Sequence, residues 1–326
     1  MAISEVLRDL LARLKDRLVQ DVDGVARVAA GPSSGVGSGL GQAHRRCGEE
    51  DNRGLRALET QWRFDDRGGQ VPWIRSSPGY RPDGLERRLQ HMRLSPDDAR
   101  TGRLPDSTNT VRVMRAADRL PWRNEESLVI VKPSSGEQFD NRDWLPHVPG
   151  TLARREVAAY RMDRLFGFGL VPPTALVARP NGEECAVQQF VEFGPWKWAT
   201  KYDDLQRQRA AVLHYVIGAA DGQRGNYGAD GSGDLVLYDH GFSFPEAPDP
   251  ARTDPGSVSE SFLMRSDFVT FDPKEQLDED VLRAVDTIDE RDIRSALADL
   301  DISDSAIEGV LDRLGEIRDL RVIPGI

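Results

Sequence analysis

Hydrophobic residues near the start of the chain recur with the spacing of one helical face. Ile3, Leu7, Leu10 and Leu14 lie three to four residues apart, with charged residues between them. This pattern predicts an amphipathic helix within residues 1–30, which needs a second surface to pack against.

The two segments that follow lack such a period. Residues 31–50 contain the run GPSSGVGSGLGQ, whose Gly and Ser content predicts a flexible linker with too little apolar surface to order itself. Residues 51–101 are rich in Arg, with short helical patches around residues 85–92. We interpret 51–101 as an accessory segment. Together with the helix and linker it forms an arm suited to a protein partner or to self-association.

Beyond residue 105 the pattern sharpens into strands and helices. The segments TVRVM and SLVIVKP are rich in β-branched residues and predict a hairpin. A helical pattern then begins near Thr151, a candidate N-cap, and stops at Gly167. The dipeptide Asn181-Gly182 predicts a second hairpin. The predicted order is ββαββ, with strands at 110–114, 127–133, 171–179 and 184–193 and a helix at 150–169.

The second half is predicted to be mainly helical. An apolar helix at 203–219 leads into a Gly/Asp-rich turn region, and the short strand DLVLYDHGF follows it. A Pro/Asp loop after Pro245 precedes acidic helical segments at 276–298 and 303–320. The order of elements as a whole predicts an α+β fold.

Composition excludes several classes of protein. The chain has 43 Lys and Arg against 54 Asp and Glu, a net charge of -11, which argues against general nucleic-acid binding. Apolar runs fall short of the roughly 18 to 20 residues that cross a bilayer, and the charged start lacks the apolar region of a secretory signal. We therefore expect a cytoplasmic protein without a membrane span. Two Cys residues cannot build a disulfide framework or a Cys-based zinc site.

A lysine at the end of an apolar strand is the first residue that points to chemistry. Lys132 follows the run VIV, where its ammonium would be costly to bury without an anionic partner. Glu156, in the next predicted helix, is a natural partner. Such a pair would aim the amine at nucleotide phosphates while joining helix and sheet. Taken alone, the two residues also fit a lysine that extends into water and a solvated glutamate.

Three oxygen-bearing side chains in the second half complete the pattern. Asp221 and Asn226 lie in the loop DGQRGNYG, and Asp239 follows the apolar strand LVLY. Phosphoryl transfer needs a carboxylate near the attacking hydroxyl and oxygen ligands for Mg²⁺, and these residues supply both. Each one alone is also an ordinary turn or strand-end residue. His214 and His240 are expected to be packing residues.

Several sequence motifs of this chain resemble those of a known family, the phosphatidylinositol 3- and 4-kinase-like proteins of actinobacteria, which are distantly similar to HipA-type kinases. GRLPDSTN resembles the family's opening nucleotide loop, VKPSSGE its lysine strand, and GTLARREVAAYRMDRLFGFGLVPPT its most specific block. DGQRGN and YDHGFSF resemble its catalytic loop and metal motif. The resemblance covers residues 102–245.

The resemblance implies a two-lobed protein-kinase-like fold with a small β-rich N-lobe at 102–192, a helical C-lobe with an acidic tail at 193–326, and an N-terminal helical and irregular extension. ATP and Mg²⁺ would bind between the lobes. The resemblance implies that Lys132 contacts the phosphates, that Glu156 positions Lys132, and that Asp221 is the catalytic base. Asn226 and Asp239 would be the metal ligands. The phosphate loop would be Ser107, Thr108 and Asn109, and the hinge beside adenine would be Gln189, Phe190 and Val191.

One departure from the family pattern concerns the catalytic loop. Gly222 and Gln223 follow the aspartate where many relatives carry a basic residue, and Arg224 is the nearest cation. The leading hypothesis is a Mg-ATP-dependent phosphotransferase acting on a hydroxyl of a protein or a small molecule. The alternative is a kinase-fold nucleotide-binding or pseudokinase module that serves as a structural or interaction component of a larger assembly.

Overall fold

An antiparallel sheet and a set of helices form the mixed α+β fold. The computed structural model describes residues 80–94, 109–117, 126–138, 147–179, 182–246, 264–271 and 276–324. The predicted N-terminal helix, the linker 31–50, most of the accessory segment and the Pro/Asp loop after residue 246 lie outside the described residues.

Within the described ranges, the elements have the following bounds. The helices are α1 (Gly84–His91), α2 (Leu152–Phe166), α3 (Asp204–Ile217), α4 (Asp267–Phe271), α5 (Glu279–Thr287), α6 (Glu290–Leu297) and α7 (Asp304–Leu320). The strands are β1 (Arg93–Leu94), β2 (Arg112–Ala117), β3 (Glu126–Pro133), β4 (Thr174–Ala178), β5 (Glu184–Gln189), β6 (Tyr227–Ala229) and β7 (Leu235–Leu237).

The larger sheet has the strand order β1-β2-β3-β5-β4. Both predicted hairpins are confirmed, because β2 pairs antiparallel with β3 and β4 pairs antiparallel with β5. Strand β4 begins at Thr174 rather than at residue 171, since Pro172 and Pro173 lack the N–H groups that a ladder needs. Asn181, in the second predicted turn, lies outside the described residues.

Different helices cover the two faces of this sheet. Lys132 pairs with Ala186, and its neighbour Val131 pairs with Val187, so the two pairs point to opposite faces. Ala186 belongs to the core that includes α2, whereas the face of Val131 and Val187 packs with Leu89 of α1. Part of residues 51–101, which we interpreted from the sequence as an accessory segment, thus contributes helix α1 and the edge strand β1 to the larger sheet and the face that α1 covers.

Helix α1 is fixed to α2 by a buried ion pair. Glu86 and Arg161 are both almost fully buried, and Arg161 Nη2 lies 2.7 Å from Glu86 Oε1. One turn away, the Tyr160 hydroxyl donates to Asp83 Oδ2 at 2.6 Å. Removing Arg161 would leave the buried Glu86 carboxylate without its cation, so these contacts set the position of α1 strongly.

Helix α2 follows its prediction closely except at its start. It ends at Gly167, which adopts a left-handed φ of 69° that favours glycine. Thr151 is the N-cap residue, as predicted, but its side chain makes no capping bond and its hydroxyl donates to Val148 O instead. The carboxylate of Glu137 takes that role, accepting from Gly150 N at 2.6 Å and Ala153 N at 3.3 Å. The Glu137 carboxylate therefore makes the capping bonds that the Thr151 side chain was expected to make.

The second half is helical around a two-stranded sheet. Strand β6 lies in the region that the sequence predicted as a turn, and it pairs antiparallel with β7. The predicted acidic segment at 276–298 divides into α5 and α6, because Asp289 begins α6 with a capping box. Buried residues of α3, α5 and α7 join α2 in the main core. Among the described residues, we find no helix that has both the length and the apolar character to span a membrane.

Candidate active site

Lys132 binds two carboxylates that come from different parts of the chain. Its position near the end of β3 leaves the side chain only 15% exposed. The ammonium Nζ lies 2.5 Å from Glu156 Oε1 and 2.9 Å from Asp239 Oδ1. The predicted pair of Lys132 and Glu156 is therefore present in the structure, and Asp239 joins it.

Glu156 also fixes the backbone that follows Asp239. Its Oε2 accepts from His240 N at 3.0 Å, and its Oε1 accepts from Gly241 N at 3.1 Å. The carboxylate is buried, so these bonds replace the water that it has lost. One side chain on α2 thereby connects the lysine strand with the segment after β7.

The protonation states of Lys132, Glu156 and Asp239 are determined by burial and by their mutual attraction. Burial alone would raise the pKa of Asp239, but the Lys132 ammonium outweighs that effect and lowers it. Burial raises the pKa of Glu156, and Lys132 offsets only part of the rise. For Lys132, the attraction of both carboxylates exceeds the cost of burial and raises the pKa. Asp239 therefore keeps the negative charge that a metal ligand needs.

The backbone at Asp239 is strained. Its φ of 64° is left-handed, a conformation that is uncommon outside glycine and costs of order 1 kcal/mol. Two residues later, a Cβ at Gly241 would lie 3.3 Å from Leu152 Cβ, so the close approach of α2 favours glycine there. The Asp-His-Gly sequence thus turns sharply against α2 and holds the Asp239 carboxylate beside Lys132.

The loop that carries Asp221 and Asn226 is closed by bonds from Asn226. The side-chain Nδ2 donates to the carbonyl oxygen of Asp221 at 2.6 Å, and the backbone N donates to Gln223 O at 3.0 Å. Gly225 allows the turn with a φ of 113°. Because the amide nitrogen of Asn226 is engaged with the loop, the amide oxygen is the atom available to a cation.

Backbone hydrogen bonds place this loop beside the Asp239 segment. Ala220 N donates to Phe242 O at 2.9 Å, and Tyr238 N donates to Asn226 O at 3.0 Å. These bonds lie on either side of Asp239, one at each end of the loop. The structure therefore brings the loop residues Asp221 and Asn226 to the segment that carries the Lys132 partner.

Two buried histidines pack beneath the loop. His214 Nδ1 lies 2.8 Å from Ser266 Oγ, and its ring lies 5.7 Å from the ring of His240. A Cβ at Gly222 would come within 2.6 Å of His214 Nδ1. Burial lowers the pKa of His214 to about 4, so its ring is neutral near pH 7. Both histidines are buried, as the sequence prediction of packing residues requires.

Arg155 is a further polar residue of this region that sequence reasoning missed. Its buried guanidinium donates to Ser243 O at 2.9 Å and to Phe244 O, and it pairs with Glu246 at 2.8 Å. Arg155 thereby holds the segment that follows the Asp-His-Gly sequence. The available signal was that Arg155 stands one turn before Ala158 and Ala159, on a helix face whose next turn is apolar.

The residues predicted for the nucleotide phosphates are only partly described. Ser107 and Thr108 lie outside the described residues. Asn109 Oδ1 accepts from Gln138 N at 3.0 Å. Asn109 also lines a small pocket with Lys132, Glu156 and Gly241. The structure therefore brings one residue of the predicted phosphate loop to the same pocket as the lysine.

The predicted hinge lies where the chain leaves the sheet. Gln189 ends β5, Phe190 N donates to Leu128 O at 3.2 Å, and Val191 is buried against Val236 of β7. The segment then leads through a short 3-10 turn to α3. Residues 189–191 connect the larger sheet to the helical half, next to β3.

Comparisons with known proteins give structural likenesses only. No family model matches the chain, and no curated protein sequence matches it. The structure is similar to the proinflammatory kinase CtkA of Helicobacter pylori, with a TM-score of 0.41, 16% identity, and coverage of 72% of this chain and 94% of that one. It is also similar to hydra Fam20 solved with sugar, with a TM-score of 0.43, 12% identity, and coverage of 72% and 86%. At TM-scores below 0.5 neither likeness assigns a function, and the resemblance to phosphatidylinositol 3- and 4-kinase-like proteins stays a prediction.

Proposed function

We propose that this chain is a kinase-like phosphotransferase that moves the terminal phosphoryl group of Mg-ATP to a hydroxyl group. The observation that carries the proposal is the position of Lys132, whose ammonium lies between Glu156 and Asp239 beside the loop of Asp221 and Asn226. This arrangement contains a cation for phosphates, oxygen ligands for a metal and a carboxylate for the acceptor, which are the groups that phosphoryl transfer requires.

Lys132 and Glu156 would act together in nucleotide binding. Glu156 holds the ammonium of Lys132 from the side of α2, and its bonds to His240 N and Gly241 N hold the turn next to it. The lysine is thus preorganised, and little side-chain entropy is lost when it contacts phosphate oxygens. Residues 107–109 would cover the phosphates, and residues 189–191 would contact the adenine.

Asn226 and Asp239 would hold Mg²⁺. They offer an amide oxygen and a carboxylate, which are the hard ligands that Mg²⁺ prefers. Mg²⁺ commonly takes only one or two protein oxygens beside substrate phosphates. The lowered pKa of Asp239 keeps its carboxylate charged. When bound, Mg²⁺ supplies positive charge that offsets the charge of the transferring phosphoryl group.

Asp221 would act as the base. The acceptor hydroxyl oxygen forms a bond to the terminal phosphorus of ATP, the bond from that phosphorus to the oxygen of ADP breaks, and the hydroxyl proton passes to the Asp221 carboxylate. Residues 102–192 would form the N-lobe and 193–326 the C-lobe of the kinase-like fold. The acceptor would be a protein or a small molecule.

A calorimetric titration with ATP tests the nucleotide site. We expect binding by the full chain in the presence of Mg²⁺ and a loss of at least about tenfold in affinity for Asp239→Ala, because a charged metal ligand is removed. Asp280→Ala, which removes an exposed carboxylate on α5, is the matched control and should bind as wild type does. Absence of ATP binding by wild type would refute the proposal and favour a kinase-fold module that serves as a structural component.

A second experiment separates catalysis from binding. We expect Asp221→Ala to bind Mg-ATP with wild-type affinity and to lose transfer activity by about 10²- to 10⁴-fold, the usual contribution of a positioned base. Calorimetry measures the first quantity, and release of ADP from ATP measures the second. Unchanged turnover in this variant would exclude Asp221 as the base.

A further inference from the structure

An aromatic and cationic cluster lies at the tip of the loop between Asp221 and Asn226. The guanidinium carbon of Arg224 lies 4.4 Å from the ring centroid of Trp196 and 4.9 Å from that of Trp198. The two indole rings contact each other edge to face at 4.4 Å. Arg224 is exposed and Trp198 is 51% exposed, so the cluster faces solvent, in the same loop as the proposed base.

The positive charges of this surface have no carboxylate partners in the part of the chain that the structure describes. In that part Arg224 lies over the two rings and forms no ion pair, and Lys197 donates to the carbonyl oxygen of Gly233 at 2.7 Å. Lys201 is exposed on the same connector, likewise without an ion pair among the described residues. Arginines elsewhere in the described chain, such as Arg154 and Arg155, pair with carboxylates. The cluster is therefore a site where cations stay available to an external anion.

The two carboxylates that follow Lys201 in sequence are engaged in other contacts. Asp203 caps α3 by accepting from Gln206 N at 2.8 Å, and Asp204 pairs with Arg207 at 2.6 Å. The exposed guanidinium of Arg224, without an ion pair among the described residues, favours an oxyanion as the occupant.

We propose that Arg224, held by Trp196 and Trp198, recognises acidic residues next to the acceptor hydroxyl in a peptide substrate. This inference rests on the proposed phosphotransferase function and specifies the acceptor. Arg224 and Trp198 are exposed, which suits an extended peptide better than a small molecule, and Trp and Arg are residues that often dominate recognition surfaces. The serine or threonine oxygen gains the phosphoryl group, ADP leaves, and the proton passes to Asp221.

The rings give Arg224 a role that a free surface arginine lacks. Stacking on aromatic faces holds the planar guanidinium without neutralising its charge, so less entropy is lost when it binds a carboxylate. Arg224 lies three residues from Asp221, and the loop is closed by Asn226. A bound acidic residue would therefore be close to the hydroxyl that Asp221 deprotonates.

Transfer of labelled phosphate from ATP to two synthetic peptides tests the proposal. One peptide carries a single serine flanked by glutamates, and the other carries the same serine flanked by lysines. We expect full-length wild type to phosphorylate the acidic peptide preferentially. Arg224→Gln should raise KM for the acidic peptide about tenfold, as expected for a contact of about 1.4 kcal/mol, while KM for ATP stays constant. Arg224→Lys should restore part of the preference, and Trp198→Ala should lose part of it.

Arg209→Gln is the matched control. Its guanidinium also lies over an aromatic ring, 5.9 Å from Phe168, but it is on α3 rather than in the loop. This variant should keep the wild-type preference for the acidic peptide, and thermal melting of all variants identifies any loss of folding.

Three results would overturn the proposal. They are equal transfer to both peptides, an equal loss for both peptides in Arg224→Gln, and transfer to phosphatidylinositol vesicles without transfer to either peptide. Nucleotide binding by wild type is measured in parallel. If wild type binds Mg-ATP but phosphorylates neither peptide, the acceptor assignment fails alone. If it does not bind Mg-ATP, the phosphotransferase function fails as well.

Discussion

Replacing Glu156 with alanine is expected to destabilise the protein severely. The substitution removes the bond to Lys132 and leaves the buried N–H groups of His240 and Gly241 without their acceptor. A charge-assisted bond contributes about 1.5–3 kcal/mol, and each buried donor left unpaired costs about 1 kcal/mol or more. Lys132 retains Asp239 as a partner, which limits the loss. We therefore expect the free energy of unfolding to fall by about 3–5 kcal/mol, the usual result of breaking a buried ion pair.

Urea unfolding followed by tryptophan fluorescence measures this loss. Glu156→Gln, which keeps the shape and one acceptor oxygen but not the charge, should lose about half as much. Glu184→Ala is the matched control, because Glu184 pairs with Arg154 of the same helix at 2.8 Å in a more exposed setting. Its loss should stay below about 1 kcal/mol. Equal losses in Glu156→Ala and Glu184→Ala would refute the view that Glu156 is the structural centre of the site.

Two further predictions concern the two histidines that pack beneath the loop of residues 221–226. Gly222→Ala should destabilise the protein by about 1–3 kcal/mol in urea unfolding, because its Cβ would meet His214 at 2.6 Å, whereas Gly231→Ala, with nothing within 4 Å, should be neutral. Equal effects of the two would contradict this packing. The folded-state pKa of His214, about 4, is below its ordinary value of 6.5, so stability present above pH 6.5 is lost as the pH falls toward 4. Between pH 7 and 5, wild type should lose about 2 kcal/mol more than His214→Gln, and parallel curves for the two proteins would exclude the effect.

The sequence pattern correctly predicted β3 and α2, whose formation depends on neighbouring residues. The alternation in SLVIVKP predicted β3, and the helical period ending at Gly167 predicted α2, because a strand face and a left-handed stop are properties of neighbouring residues. Strand β6 was missed, since Tyr227–Ala229 is only three residues long and follows a run of turn formers. Short strands form where a partner strand is available, and that information lies elsewhere in the chain.

Contacts between distant segments were predictable only in part. The cost of burying the Lys132 ammonium suggested an anionic partner, and Glu156 in the next helix was the natural candidate. The pair of Glu86 and Arg161 joins residues 75 positions apart, and α1 has only eight residues, so its local pattern gave no sign of where it packs. At the start of α2, the Glu137 carboxylate accepts the backbone N–H bond, and the Thr151 side chain does not. In each case tertiary contacts decided what local propensity left open.

Arg155 and Glu156 attach α2 to the backbone that follows Asp239 at two separate points. Successive residues of a helix project about 100° apart, so one holds the backbone at 240–241 while the other holds Ser243, Phe244 and Glu246. Glu246 in turn accepts from Ser305 in the first turn of α7. A shift of α2 by a fraction of a turn would therefore move the lysine contact, the Asp239 turn and the start of the last helix together. A contact made on α7 would act on the positions of Lys132 and Asp239 without touching either residue.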